Sequence, residues 1–101
     1  MKTYIGEKVL VRGIQSGVYF GTLAAREGQE CELKNVRNIW KWRGANNLLD
    51  MAKNGVDEDS NENRFSNWVD SLVLTDVCEI VPCTELASKQ LEGVKEWVYR
   101  R

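Results

Sequence analysis

The first forty residues consist of short β-prone segments separated by turn-forming residues. Gly17 and Gly28 lie in two of the expected turns, and the segments between turns are rich in apolar, aromatic and β-branched residues. The expected strands are 8–12, 18–23, 30–34 and 36–43. Strands that follow one another through short turns favour an antiparallel meander, curled into a small barrel or half-barrel.

Two short helices are expected in the second half of the chain. Asn46 or Asn47 can cap the first helix, which Gly55 would end, and Thr84 can cap the second, which Gly93 would end. Together with the strands, these signals predict an α+β, β-rich fold. We expect a small antiparallel sheet or partly open barrel with two short helices, in one domain over residues 1–101.

Between the helices, the segment 72–81 is mostly apolar and lacks clean alternation. This pattern is typical of a strand that is buried on both faces, so we expect 72–81 to be the longest strand and central in the sheet, closed by Pro82. The tail after Gly93 could add an edge strand or pack Trp97 onto the body.

The chain contains 101 residues and no histidine. The absence of histidine excludes Ser-His and Cys-His activation of a nucleophile and His-ligated metal sites. No Gly-rich phosphate loop of the Walker or dinucleotide type occurs. The three cysteines lack metal-type spacing and are expected to behave as small hydrophobic residues. The sequence therefore predicts a binding protein rather than an enzyme, with no metal or cofactor.

An acidic loop at 57–63 invites a calcium-binding interpretation. Asp57, Asp59 and Asn61 match the first three ligand positions of an EF-hand loop. However, Glu62 stands where the loop needs glycine, and Trp68 stands where it needs a bidentate glutamate. The pattern favours a solvated loop.

The net charge of −1 hides an asymmetry between the two halves of the chain. Residues 1–55 carry nine lysines and arginines against five acidic residues, whereas residues 56–101 carry five against ten. The overall balance argues against a general nucleic-acid-binding protein, although a local basic face in the first half stays open. Because no signal peptide is visible and no apolar stretch is long enough to cross a bilayer, we expect a cytoplasmic protein without membrane contact.

The segment 37–46 holds the candidate ligand-binding residues. On a regular strand, Trp40 and Trp42 project from one face, while Arg37, Lys41 and Arg43 project from the other. Adjacent tryptophans can stack on a base or anchor a protein partner. The three cations could bind phosphates or carboxylates.

Two further residues of this segment belong to the candidate site. Gly44 would allow a ligand to approach the backbone closely, and Asn46 at a helix start would add hydrogen-bond donors. The alternative is that both tryptophans fill the core and the cations form a solvated rim, since a small domain has few other residues from which to build a core.

Five segments carry a resemblance to a known family: SGVYFGTL at 16–23, RNIWKWRGA at 37–45, LLDMA at 48–52, VLTDVCEI at 73–80 and GVKEW at 93–97. They resemble an uncharacterised family of small proteins carried by bacteriophages and prophages. In that family the tryptophan strand typically reads Arg-Arg-x-Trp-x-Trp-x-Gly-Ala, and Asn38 departs from it. The resemblance implies no reaction or ligand. It implies the genomic context of a phage accessory gene.

This context favours a phage accessory protein that acts by stoichiometric binding, with counter-defence in the host cytoplasm as the expected role. The partner is expected to be either a nucleotide second messenger, held at segment 37–46, or a host defence protein, blocked by an apolar or acidic patch that includes 57–63. The alternatives are a single-stranded nucleic-acid-binding module of small-barrel type and a structural virion component. A homo-oligomer is also compatible with the sequence, because a small sheet has edges to cover.

Overall fold

A computed structural model of the chain describes residues 1–99, which form six strands and two helices. The strands are β1 (Lys8–Gly13), β2 (Gly17–Glu27), β3 (Glu30–Lys41), β4 (Arg64–Phe65), β5 (Val69–Leu74) and β6 (Val77–Pro82). The helices are α1 (Leu48–Asn54) and α2 (Glu85–Gly93). The predicted α+β, β-rich fold is confirmed. Neither described helix has the length and apolar character needed to span a membrane.

All six strands belong to one antiparallel sheet, in which β1 lies between β2 and β6. β3 follows on the far side of β2, and its outer edge is shared by two strands: β5 pairs with its first half and β4 with its last residues. Within residues 1–99, β6 pairs with neither β4 nor β5, so the sheet is open rather than a closed barrel.

The sheet has a hydrophobic cluster on each face, and β1 contributes to both. Leu10 packs with Met51 of α1 and Leu91 of α2 in the cluster beneath the helices. Val9 and Val11 point to the opposite face and join a second cluster. Successive side chains of a strand alternate between faces, so the uninterrupted apolar run of β1 is what a strand covered on both sides requires.

A β-bulge in β3 decides which of its side chains face the helices. Phe20 pairs with Arg37 and Thr22 pairs with Lys34, so two residues of β3 lie opposite the single residue Gly21 of β2. Asn35 is one of these two residues, and its φ of +47° lies in the left-handed region that asparagine tolerates. The strand expected to end near Asn35 therefore continues as one strand, but its alternation slips by one residue.

The expectation of one long central strand at 72–81 is wrong. Within the described part of the chain two strands replace it: β5 pairs only with β3, and β6 is an edge strand that pairs only with β1. Asp76 explains the break, because its carboxylate accepts hydrogen bonds from the backbone N–H groups of Gln15 and Ser16 and from the Ser16 hydroxyl. These bonds tie the β5–β6 turn to the β1–β2 turn, and they lower the pKa of Asp76, the Gln15 N–H contributing most.

The helix signals are confirmed at both starts. Asn47 caps α1 by accepting a hydrogen bond from the Asp50 N–H, and Thr84 caps α2 by accepting one from the Ala87 N–H. Gly55 ends α1 with a φ of +82°. Both helices cover the sheet face that carries Leu10.

Candidate functional site

Arg37 is a buried cation, only 2% exposed. Its guanidinium donates hydrogen bonds to the carbonyl oxygens of Leu91 (3.1 Å) and Val94 (2.8 Å) at the end of α2, and to the Ser66 carbonyl (3.0 and 3.2 Å). Burial lowers the pKa of Arg37, and the negative charge of Glu96 acts in the opposite direction.

The position of Arg37 follows from the β3 bulge and differs from the expected one on an exposed face. The guanidinium carbon lies 5.0 Å from the centre of the Phe65 ring and 4.7 Å from that of Trp68, so aromatic rings enclose the cation. Its guanidinium has five N–H groups and donates four hydrogen bonds, all of them to backbone carbonyl oxygens. Arg37 therefore links β3, the β4–β5 connection and α2, and it does not face a surface ligand.

Trp40 and Trp42 do not lie side by side, as a regular strand would place them. The register of β3 shifts between Ile39 and Lys41, where the strand ends. Trp42 then packs against the cluster beneath the helices, and its indole N–H donates to the Ala45 carbonyl at 3.2 Å. Trp40 is 50% exposed. One tryptophan is thus a packing residue and the other a surface residue.

Gly44 is approached closely by the acidic loop. Its φ is +92°, and a Cβ at this position would lie 2.5 Å from the Asp57 backbone nitrogen. The Asp57 N–H donates to the Arg43 carbonyl at 2.8 Å, while the Arg43 side chain forms an ion pair with Glu62 at 3.1 Å. The close approach that Gly44 permits is therefore made by Asp57 of the same chain, and the 43–44 segment is attached to the acidic loop.

Asn46 serves the start of α1. Its backbone N–H and its side-chain amide both donate to the Asp50 carboxylate, at 2.9 and 3.1 Å. Asn54 donates to the same carboxylate at 2.8 Å. These bonds lower the pKa of Asp50, with the backbone N–H of Asn46 as the largest cause. The donors of Asn46 are thus engaged within the first helix.

Trp40 belongs to a cluster of three exposed aromatic rings, and the other two rings lie outside the segment 37–46. The Trp97 ring lies 5.9 Å from Trp40 at an interplanar angle of 89°, and Tyr99 lies 6.2 Å from Trp97 at 68°. These are edge-to-face contacts. Trp97 and Tyr99 are 39% and 68% exposed. We call Trp40, Trp97 and Tyr99 the aromatic surface.

Backbone bonding holds the tail in place beneath the aromatic surface. The Trp97 N–H donates to the Phe65 carbonyl at 2.9 Å, and Val94 is buried in the cluster beneath the helices. The Arg64 guanidinium lies 5.2 Å from the centre of the Trp97 ring and donates to two carbonyls of the acidic loop. Of the two outcomes expected for the tail, packing of Trp97 onto the body is the one observed for the described residues.

Two arginines near the aromatic surface are engaged within the chain. Arg64 bonds to carbonyls and Arg43 pairs with Glu62, whereas Lys41 is exposed and forms no ion pair with any residue in the described range 1–99. Across the same range, no three His, Cys, Asp or Glu side chains are grouped as a metal site would require. Within the described residues, the site offers exposed aromatic area with Lys41 as an uncommitted cation at its margin.

Sequence reasoning placed Trp40 and Lys41 in the candidate site but missed the contribution of Trp97 and Tyr99. Their spacing of two residues in the tail is a signal that both could lie on one side of an extended segment. The contact with Trp40 depends on how the tail crosses β4, and no local pattern states that.

Residues 6–91 match a protein family described as Domain of unknown function (DUF6948). The chain belongs to this family. The match confirms the resemblance to an uncharacterised family, and no curated protein or solved structure matches the chain. Within the DUF6948 chain, Trp40 lies inside the matched residues, whereas Trp97 and Tyr99 follow them. The aromatic surface therefore joins the family domain to the segment that comes after it.

Proposed function

We propose that this chain is a non-catalytic binding protein that acts by stoichiometric occupancy, docking a partner protein on the aromatic surface. The observation that carries the proposal is the contact between three exposed rings in a small domain. Many apolar side chains of the sheet are fully buried, among them Phe20 and Phe65. Contiguous exposed aromatic area on such a protein is typical of an interaction site.

The composition of the aromatic surface supports a protein partner over a small ligand. Tryptophan, tyrosine and arginine are the residues that most often dominate the binding energy of protein interfaces. Trp40, Trp97 and Tyr99 are preassembled by edge-to-face contacts, and Arg64 lies over Trp97. A partner therefore needs to order little on this side, which reduces the entropic cost of association.

A peptide selection tests this proposal. Random dodecapeptides displayed on a carrier are selected on the immobilised chain, and the affinity of enriched peptides is then measured by fluorescence anisotropy. Trp40→Ala is expected to weaken binding by about 2 kcal/mol, or roughly thirtyfold in Kd. Leu49→Ala is the matched control, because Leu49 is an exposed apolar residue on α1 outside the aromatic surface. Equal affinity for wild type and Trp40→Ala would contradict the proposal.

A nucleotide ligand is the second candidate, favoured by one observation. Trp40 is half exposed next to Lys41, a pair that could stack on a base and contact a phosphate. Thermal unfolding against mono-, di- and cyclic nucleotides and a short single-stranded oligonucleotide tests it. A ligand at about a hundredfold its Kd adds roughly 2.7 kcal/mol, a rise of several degrees in Tm. Binding of the oligonucleotide that weakens steeply with salt would instead support the single-strand-binding alternative.

We place this binding activity in the phage context that the sequence resemblance implies, with a host defence protein as the partner. The support is the resemblance together with the absence of histidine and of a phosphate-binding loop. Plating of a defence-sensitive phage on defence-carrying cells that express the chain tests it. We expect wild type to restore plating and Trp40→Ala to lose this effect. Restored plating by Trp40→Ala, at equal expression, would separate the role from the aromatic surface.

A further inference from the structure

A groove of about 630 Å³ runs beside the aromatic surface, between the acidic loop and the segment that follows α2. Glu58 and Asp59 line one side, and Val94, Trp97 and Val98 line the other. Trp97 is shared with the aromatic surface, so the groove and the aromatic surface are adjacent. The segment after α2 contributes apolar side chains together with Lys95 and Glu96, and the acidic loop contributes the carboxylates of Glu58 and Asp59.

The loop side of the groove is held by the backbone contacts at Gly44 and by Gly93. A Cβ at Gly93 would overlap the Glu58 carboxylate, so the absence of a side chain there lets Glu58 lie against the end of α2. Asn63, which is buried, donates to the Asp57 carbonyl at 2.8 Å and accepts from the Arg43 N–H at 3.0 Å. The acidic loop is thus fixed to the body of the protein before any partner arrives.

The charges around the groove are unbalanced. Among residues 1–99, its lining contains the acidic residues Glu58, Asp59 and Glu96 and one cation, Lys95. Within the same range, Glu58 and Asp59 form no ion pair, whereas Glu62 of the same loop is already paired with Arg43. The groove therefore favours a positively charged occupant, and the apolar side chains of its lining favour one with apolar groups next to the charge.

We propose that the groove binds a basic segment of the partner protein, with a lysine or arginine at Glu58 and Asp59 and a neighbouring apolar side chain on Trp97. This inference rests on the proposed function, since the aromatic surface supplies the shared tryptophan. An arginine fits the acidic loop well, because its planar guanidinium can contact two carboxylates at once while its stem covers apolar surface.

The peptide selection described above tests the proposal when charge is read out. Enriched dodecapeptides are expected to carry net positive charge and at least one apolar residue beside a lysine or arginine. The double variant Glu58→Lys/Asp59→Lys is expected to weaken their binding at least tenfold. The control Glu27→Lys/Glu30→Lys changes the net charge equally at the exposed β2–β3 turn and is expected to bind within twofold of wild type.

A second variant distinguishes loss of binding through loss of charge from loss of binding through misfolding of the groove. Glu58→Gln/Asp59→Asn keeps the shape of both side chains, and we expect weakened binding at an unchanged Tm. Neutral or acidic enriched peptides, or equal binding by the charge-reversed and control variants, would overturn the basic-partner inference. If such peptides still lose affinity with Trp40→Ala, the proposed function stands without it. Binding that depends on Glu58 and Asp59 but not on Trp40 would overturn the proposed function instead.

Discussion

Replacement of Arg37 by methionine tests how this protein holds α2 against the sheet. The guanidinium donates to three carbonyl oxygens, and the Leu91 and Val94 carbonyls lie in the interior. A buried polar group left without a partner costs about 1–3 kcal/mol, so two such carbonyls cost about 2–6 kcal/mol. Burial of the charge carries a desolvation penalty, which lowers the pKa of Arg37, and the methionine variant no longer carries this penalty. We therefore expect a net loss of about 3 kcal/mol in the free energy of unfolding.

This loss is a large part of the stability of a domain of this size, which is about 5–15 kcal/mol. It corresponds to a fall of roughly 12–24 °C in Tm, because each 1 kcal/mol shifts Tm by about 4–8 °C at this length. The assay is equilibrium unfolding in urea, monitored through tryptophan fluorescence. The control is Arg12→Met, because Arg12 is exposed and its side chain forms a surface ion pair with Glu79. The cost of this variant is expected to be below about 1 kcal/mol.

A loss below about 1 kcal/mol for Arg37→Met would refute this reasoning. It would mean that the three carbonyls find other partners or that the guanidinium lies at the surface in solution. The same pair of variants also separates two roles for Arg37. A phosphate-binding arginine would reduce ligand affinity at unchanged stability, whereas the buried position predicts a loss of stability first.

Two further predictions concern the backbone at Gly44 and the thiols. Gly44→Ala is expected to lower the free energy of unfolding by about 2 kcal/mol or more, because φ is +92° and the new Cβ would meet Asp57. The control Gly28→Ala, at φ +56° in open space, should cost only about 1 kcal/mol, and equal costs in urea unfolding would contradict this. Burial raises the pKa of Cys83 from 9.0 to about 12, so the free energy of unfolding should fall as pH rises above about 9. At pH 8 a thiol reagent should label the exposed Cys78 and leave Cys83 protected until the chain unfolds. Fast labelling of Cys83 in the native state would contradict this.

Local signals in the sequence were sufficient for the helix starts and for one hairpin. Asn47 and Thr84 cap helices because a short polar side chain reaches the free N–H groups of the first turn, and this needs no tertiary contact. Gly28 lies in the β2–β3 turn with a positive φ, as its sequence context predicts. These residues are read correctly because the interactions that fix them lie within a few positions along the chain.

Long-range interactions account for what the sequence did not predict. The break between β5 and β6 depends on Asp76 bonding to Ser16, which is sixty residues away. The face on which Arg37 lies depends on a bulge opposite Gly21, where strand pairing and not local propensity adds a residue. A single slipped residue reverses the face of every side chain after it, so Arg37 points toward α2, whereas the sequence predicted a cation available to a ligand.

The candidate site was predicted in part for the same reason. Trp40 and Lys41 are exposed, as a ligand-binding interpretation requires, whereas Trp42 packs inside, as the core interpretation expected. Both interpretations of the tryptophan strand therefore apply, each to one residue. The tail supplies the remaining rings, and its path across Phe65 is set by tertiary packing.

The central claim is that partners bind at the aromatic surface, and the indole N–H signals of the four tryptophans test it most directly. In a ¹⁵N-labelled sample titrated with a selected dodecapeptide, we expect the signals of Trp40 and Trp97 to shift with the bound fraction. The Trp42 signal should stay in place, because its indole N–H is bonded to the Ala45 carbonyl and its ring packs against the core. Shifts at Trp42 or Trp68 with Trp40 and Trp97 unchanged would contradict the claim.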